Sequence, residues 1–79
     1  MYIVYVIQNK EGQLYKGYTS DLPNRLIEHN STSEKHWTST RGPWKLVYSE
    51  EYQTKKEALD RERFFKSGQG RLYLKSILL

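Results

Sequence analysis

The chain contains no cysteine in its 79 residues, so a disulfide framework and a thiolate metal site are both excluded. No apolar run approaches the ~20 residues that a bilayer-spanning helix needs. The start also lacks the pattern of a signal peptide. These absences point to a cytoplasmic protein. A chain this short makes one small domain, residues 1–79, whose core supplies only ~3–5 kcal/mol unaided. Tyrosine and positive charge, by contrast, are plentiful. Seven tyrosines and two tryptophans can serve as core, as a stacking surface for bases, or as both. A formal net charge of +4 favours a polyanionic partner.

The stretch from Leu14 to Asn30 organises the rest. It opens as a strand, with Leu14, Tyr15, Tyr18 and Thr19 suited to a half-buried pleated surface. It breaks at Ser20-Asp21-Leu22-Pro23, where Ser or Asp can cap a helix and Pro23 fits its first turn. The helix is expected to run to about Asn30, a residue that tolerates a left-handed ending. Leu22, Leu26 and Ile27 form its apolar stripe at ~100° per residue. Arg25 and His29 stand one turn apart at the border of that stripe. The pair suits an anion held between strand and helix, although an amphipathic helix with polar flanks explains the two residues as well.

Upstream, Tyr2 to Ile7 is an unbroken β-favouring run, the mark of a central strand covered on both faces. Gln8 to Gln13 should form a hairpin connection, with Gly12 at positive φ. If Gln8 opposes Gly12 around a three-residue loop, Tyr5 falls opposite Tyr15. A four-residue loop would set Tyr5 opposite Lys16, and a bulge at Gly12 would shift either count. The tyrosine hydroxyls are expected on one face, in a common cleft with Arg25.

Ser31 to Gly42 has no period of 2 or 3.6 and is rich in hydroxyls, hence a loop. A loop of ~12 residues in a small domain is usually functional or mobile. Lys35, His36 and Arg41 give it charge suited to backbone phosphates, and Trp37 either tucks onto the core or stacks. Pro43 to Ser49 alternates as a third strand with Trp44, Leu46 and Tyr48 on one face, extended by Glu50, Glu51 and Tyr52. Thr54 and Glu57 have the spacing of a capping box, which predicts a helix from Lys55 to about Ser67 with Gly68 as its stop. Arg71 to Leu79 follows as a last helix that packs Leu72, Tyr73, Leu74, Ile77 and Leu78 on the domain.

Within the helix after Thr54, Ala58, Leu59 and Phe65 set the apolar face, and Glu62 projects from its middle. A carboxylate there is costly unless paired, hydrogen-bonded or bound to a metal. It is either half of a structural ion pair or a ligand. One carboxylate makes an open, mostly hydrated Mg²⁺ site of the kind that substrate phosphate completes.

Taken in order, Ile3-Val4-Tyr5, Tyr15-Lys16-Gly17, Arg25 followed by Glu28-His29-Asn30, Pro43-Trp44, and Ala58 with Arg61-Glu62 resemble a GIY-YIG nuclease domain. The likeness is to the small single-domain type related to the amino-terminal nuclease of the excision-repair protein UvrC, and it covers nearly the whole chain. Ile3 replaces the first glycine, and Lys16 is the central residue of the second motif. The resemblance implies an α+β fold, a small three-stranded antiparallel sheet flanked by helices. It implies a metal-dependent endonuclease acting on DNA, in repair or recombination. Tyr5, Tyr15, Arg25, His29 and Glu62 would be catalytic, with Glu62 holding Mg²⁺ or Mn²⁺. Arg25 would stabilise phosphoryl charge, and Tyr5 or otherwise Tyr15 would orient or deprotonate water. Tyrosine's ordinary pKa of ~10 would then have to be lowered by the metal, Arg25 or Lys16. Lys16, Lys35, His36 and Arg41 would touch DNA, and a partner protein would choose the target. The alternatives are a nucleic-acid-binding module of the same fold without catalysis and a small protein-interaction domain.

Overall fold

A computed structural model describes residues 1–30 and 41–78. Three strands and three helices follow in the order β1 (Tyr2–Asn9), β2 (Leu14–Thr19), α1 (Leu22–His29), β3 (Trp44–Tyr52), α2 (Lys55–Lys66) and α3 (Gly68–Leu78). The strands form one antiparallel sheet in the order β2-β1-β3. The fold is thus α+β, as the sequence predicts. β1 is central, and Val4, Tyr5, Val6 and Ile7 are all fully buried. Both faces are covered, which is why the run carries no polar alternation. No helix among the described residues is long and apolar enough to cross a membrane.

The β1–β2 loop has three residues but starts one position later than expected. Asn9 N–H donates to Gln13 O at 3.1 Å, leaving Lys10, Glu11 and Gly12 in the loop. Gly12 takes φ +84°, the left-handed value that glycine adopts without a Cβ penalty. The Asn9 side chain holds the turn by accepting from Glu11 N and Gln13 N at 3.1 and 2.9 Å. Tyr5 therefore opposes Gly17, and Ile7 opposes Tyr15, so neither register expected from the sequence is the one adopted. Because side chains alternate, Tyr5, Tyr15 and Gly17 share one face while Val4, Val6, Lys16 and Tyr18 share the other.

Each face has its own core. Tyr5, Ile7 and Trp44 pack with Tyr15, Leu22 and Leu26 beneath α1. Val4 and Val6 pack with Ala58, Phe65 and Leu74 beneath α2 and α3. A bulge corrects the expectation that Trp44, Leu46 and Tyr48 lie together. Ile7 opposes Leu46 and Val6 opposes Tyr48, so the extra residue, Val47, sends Trp44 and Leu46 to the α1 face and Tyr48 to the other.

Asp21 caps α1, accepting from Asn24 N at 3.2 Å. Asn30 ends it at φ −94°, not in the left-handed region. Its side chain instead accepts from Trp44 N at 2.6 Å and donates to Trp44 O at 3.2 Å, tying the helix end to the start of β3. Thr54 caps α2 by accepting from Glu57 N at 3.2 Å. Gly68 is not a stop. Ser67 both ends α2 and starts α3, with its Oγ donating to Phe64 O at 2.6 Å and accepting from Gly70 N at 3.1 Å. Gly70 is buried in this corner, where a Cβ would come within 1.7 Å of Phe64 O. Along α3, Leu74 is fully buried, but Leu72, Tyr73 and Ile77 are exposed. Tyr73 nevertheless stacks on Phe65 of α2, with 6.4 Å between ring centroids, and Leu78 packs against the core. Leu72 and Ile77 are thus the residues that depart from the packing the apolar pattern suggests.

Candidate functional site

β2 is an edge strand, so side chains from both faces of the sheet can meet around it. They do so in an open cleft of about 410 Å³ lined by Tyr5, Tyr15, Gly17, Arg25 and Glu62, with Tyr2, Tyr18, Thr19, Ser20 and Lys55 completing the wall. Four of the five expected catalytic residues thus line one cavity, each from a different element. The fifth, His29, lies behind it against Tyr5.

Tyr5 is the hub. Its hydroxyl is 2.7 Å from His29 Nε2 and accepts from Arg25 Nε at 3.4 Å. The Tyr5 and Tyr15 ring centroids are 6.4 Å apart, and Tyr15 lies 4.8 Å from the His29 ring. Gly17 makes the arrangement possible, since a Cβ there would stand 2.6 Å from the Tyr5 hydroxyl. Only a residue without a side chain lets the phenol lie across β2. His29, which the helical wheel sets at a border, is buried. Arg25 is half-exposed and also meets Glu28 at 3.4 Å.

Burial pushes the Tyr5 phenol up to about 12, despite the hydrogen bond from Arg25. The expectation of a lowered tyrosine therefore does not hold for the protein alone. Desolvation disfavours the phenolate more than one partly screened guanidinium favours it. Lys16 adds little because it opposes Val6 and so sits on the other face.

Glu62 enters from α2. Its side chain is 14% exposed, and its partner is Lys66 Nζ at 3.5 Å, which is 54% exposed. A pair so open to solvent contributes little to stability, so it does not account for a carboxylate at this position. Glu62 is, among the described residues, the one carboxylate on the cleft wall. Among the described residues, no three His, Asp or Glu side chains gather as a metal cage. The donors present fit a hard cation that keeps most of its water and takes one carboxylate.

Of the residues expected to touch nucleic acid, Lys35 and His36 lie outside the described residues, as does Trp37. Arg41 is exposed, and its carbonyl accepts from Asn9 Nδ2 at 3.1 Å. Sequence reasoning missed Lys55, although it lies seven residues before Glu62 and thus on the same stripe of α2. It also missed Glu50. Tyr48, Glu50 and Tyr52 alternate onto the α2 face, where Arg61 Nε and Nη2 donate to Glu50 at 2.8 and 3.2 Å. Both tyrosine hydroxyls donate to the same carboxylate. Arg61 also lies 4.7–5.0 Å from the rings of Phe64, Phe65 and Tyr73. Burial alone would raise the Glu50 carboxyl, but these donors hold it below its ordinary range.

Comparison with known proteins agrees with this geometry. Residues 1–73 match the family model of the GIY-YIG catalytic domain. A UPF0213 protein of Staphylococcus saprophyticus is 44% identical over 59 residues, 75% of this chain and 72% of that protein. One from Staphylococcus epidermidis is 44% identical over 61 residues, 77% of this chain and 74% of its own length. The solution NMR structure of a UPF0213 protein from Bacillus halodurans superposes with a TM-score of 0.59 at 34% identity, covering 98% of this chain and 85% of that one. The chain belongs to the GIY-YIG family of nuclease domains, among relatives of the UPF0213 group.

Proposed function

We propose that residues 1–79 act as one domain, a divalent-metal-dependent endonuclease that hydrolyses phosphodiester bonds in DNA. It would work in the cytoplasm, in repair or recombination, with a partner protein choosing the target. The supporting observation is the convergence of Tyr5, Tyr15, Arg25 and Glu62 on one water-accessible cleft.

Glu62 is the residue that would hold Mg²⁺ or Mn²⁺. When bound, such an ion supplies positive charge at the scissile phosphate and its leaving oxygen. Arg25 offers a planar guanidinium to charge growing on the phosphoryl oxygens. Tyr5, held neutral by burial, is a poor phenolate base. Its contact with His29 supplies another route. With His29 Nε2 unprotonated, Tyr5 accepts a proton from the attacking water as its own proton passes to His29 across 2.7 Å. Charge then comes to rest on the imidazole, and no phenolate accumulates. Tyr15, on the same wall, is the alternative for orienting the water.

The raised Tyr5 pKa also favours a second reading, a nucleic-acid-binding module of the same fold without catalysis. A cleavage assay across single-stranded, duplex, flap and branched DNA, with and without Mg²⁺, separates the two. Metal-dependent cleavage of at least one substrate is expected. Salt-sensitive binding with no cleavage of any of them would establish the second reading instead.

A further inference from the structure

Along α2, Lys55, Leu59, Glu62 and Lys66 fall on one stripe, with Lys55 and Glu62 both on the cleft wall. At ~1.5 Å per residue, Lys66 lies ~6 Å beyond Glu62 along the axis, about one phosphate step of a nucleic-acid strand. Positive charge gathers at that end. Lys16, on the α2 face of β2, stands close enough to Arg71 and Lys66 for both to repel its ammonium. Burial, the larger cause, holds Lys16 below the ordinary lysine range, and that repulsion adds to it. One turn along α3, Arg71 and Lys75 line a shallow groove with Gln8, Gly12, Leu14 and Leu78. Among the described carboxylates, none forms an ion pair with Lys16, Arg71 or Lys75. Clustering of like charges without acids costs stability, and an anionic occupant would reverse that cost.

We propose that Lys66, Arg71 and Lys75, together with Lys16, form a phosphate-binding ridge that carries a nucleic-acid strand out of the cleft along the edge of β2. The inference rests on the nuclease reading for its strand and adds a path to it. Glu62 marks the scissile phosphate, and the ridge takes the phosphates on the Lys66 side. Contact there is with backbone rather than bases, because the ridge offers cations and an aliphatic floor but no array of paired donors and acceptors.

The test measures binding of a labelled single-stranded DNA of mixed sequence by fluorescence anisotropy, over ~50–200 mM salt. Lys66→Gln/Arg71→Gln is compared with Lys10→Gln/Lys45→Gln, which removes the same charge from exposed positions elsewhere. Melting confirms that both variants fold. Losing two single-strand phosphate contacts should lower the slope of log K against log salt by ~1.4. If variant and wild type converge near ~1 M salt, that slope leaves binding about 25-fold weaker at ~0.1 M. The control should keep the wild-type slope. Lys75→Glu should weaken binding in the same direction. Equal losses from ridge and control variants would reduce the effect to net charge and overturn the ridge while leaving the nuclease reading intact. A ridge loss confined to one DNA sequence would overturn it in favour of base readout. A wild-type protein that binds no nucleic acid would overturn both readings.

Discussion

Gly17→Ala tests the geometry at the centre of the site. The new methyl would stand 2.6 Å from the Tyr5 hydroxyl, 2.9 Å from Cζ and 3.2 Å from Cε1. Restoring ordinary contact near 3.4 Å requires the phenol to retreat by close to 1 Å. A surface tyrosine would swing away freely. Tyr5 is fully buried, packed with Ile7 and Trp44, and held by His29 and Arg25. Overpacking of that kind costs about 1–3 kcal/mol. In a domain of this size it should lower the melting temperature by roughly 4–8 °C per kcal/mol. Displacing the hydroxyl by ~1 Å should also slow cleavage by about 10²-fold. A double-mutant cycle with Tyr5→Phe sharpens the test. Phe removes the atom nearest the methyl and leaves Cζ, at 2.9 Å, as the closest contact. The double variant should therefore melt above the additive expectation by roughly 1 kcal/mol and cleave no more slowly than Tyr5→Phe alone. Wild-type melting and cleavage in Gly17→Ala, or strict additivity in the cycle, would refute the reasoning.

Glu62→Gln should abolish metal-dependent cleavage while DNA binding survives. Stability should change by less than about 1 kcal/mol, because the Lys66 partner is half in solvent; a melting loss several times larger would make Glu62 a structural residue. Glu50 should make the fold acid-sensitive. Its carboxyl is held below the ordinary range in the folded state, so its contribution is fully present above the unfolded value and is lost as pH falls through the folded one. Glu50→Gln should flatten the acid limb of a plot of melting temperature against pH, and an unchanged limb would place acid sensitivity elsewhere. Gly70→Ala should cost at least ~3 kcal/mol, since its Cβ would meet backbone, Phe64 O at 1.7 Å and Phe65 Cα at 2.7 Å. Denaturant melts showing a loss under ~1 kcal/mol would mean that the α2–α3 corner opens easily.

Local pattern determined much of this protein. The unbroken apolar run of β1 announced a central strand, because only burial on both faces removes the polar alternation. Asp21 and Thr54 marked the starts of α1 and α2, since capping depends on residues a few positions apart. Glu62 stood out on its helix by the same local arithmetic. Tertiary structure decided what depends on alignment between elements. Asn9 moved the hairpin by one residue and set Tyr5 over Gly17, a choice made by side-chain hydrogen bonds that no strand period encodes. The bulge at Val47 turned Tyr48 away from Trp44 and gave Glu50 its place between two tyrosines, facing Arg61. Ser67 served two helices at once, so α3 began three residues before the apolar pattern implied. The raised Tyr5 pKa came last, because it needs the burial around the phenol as well as its neighbours. Sequence carries the identity of charged groups, but only packing sets how much water remains to screen them.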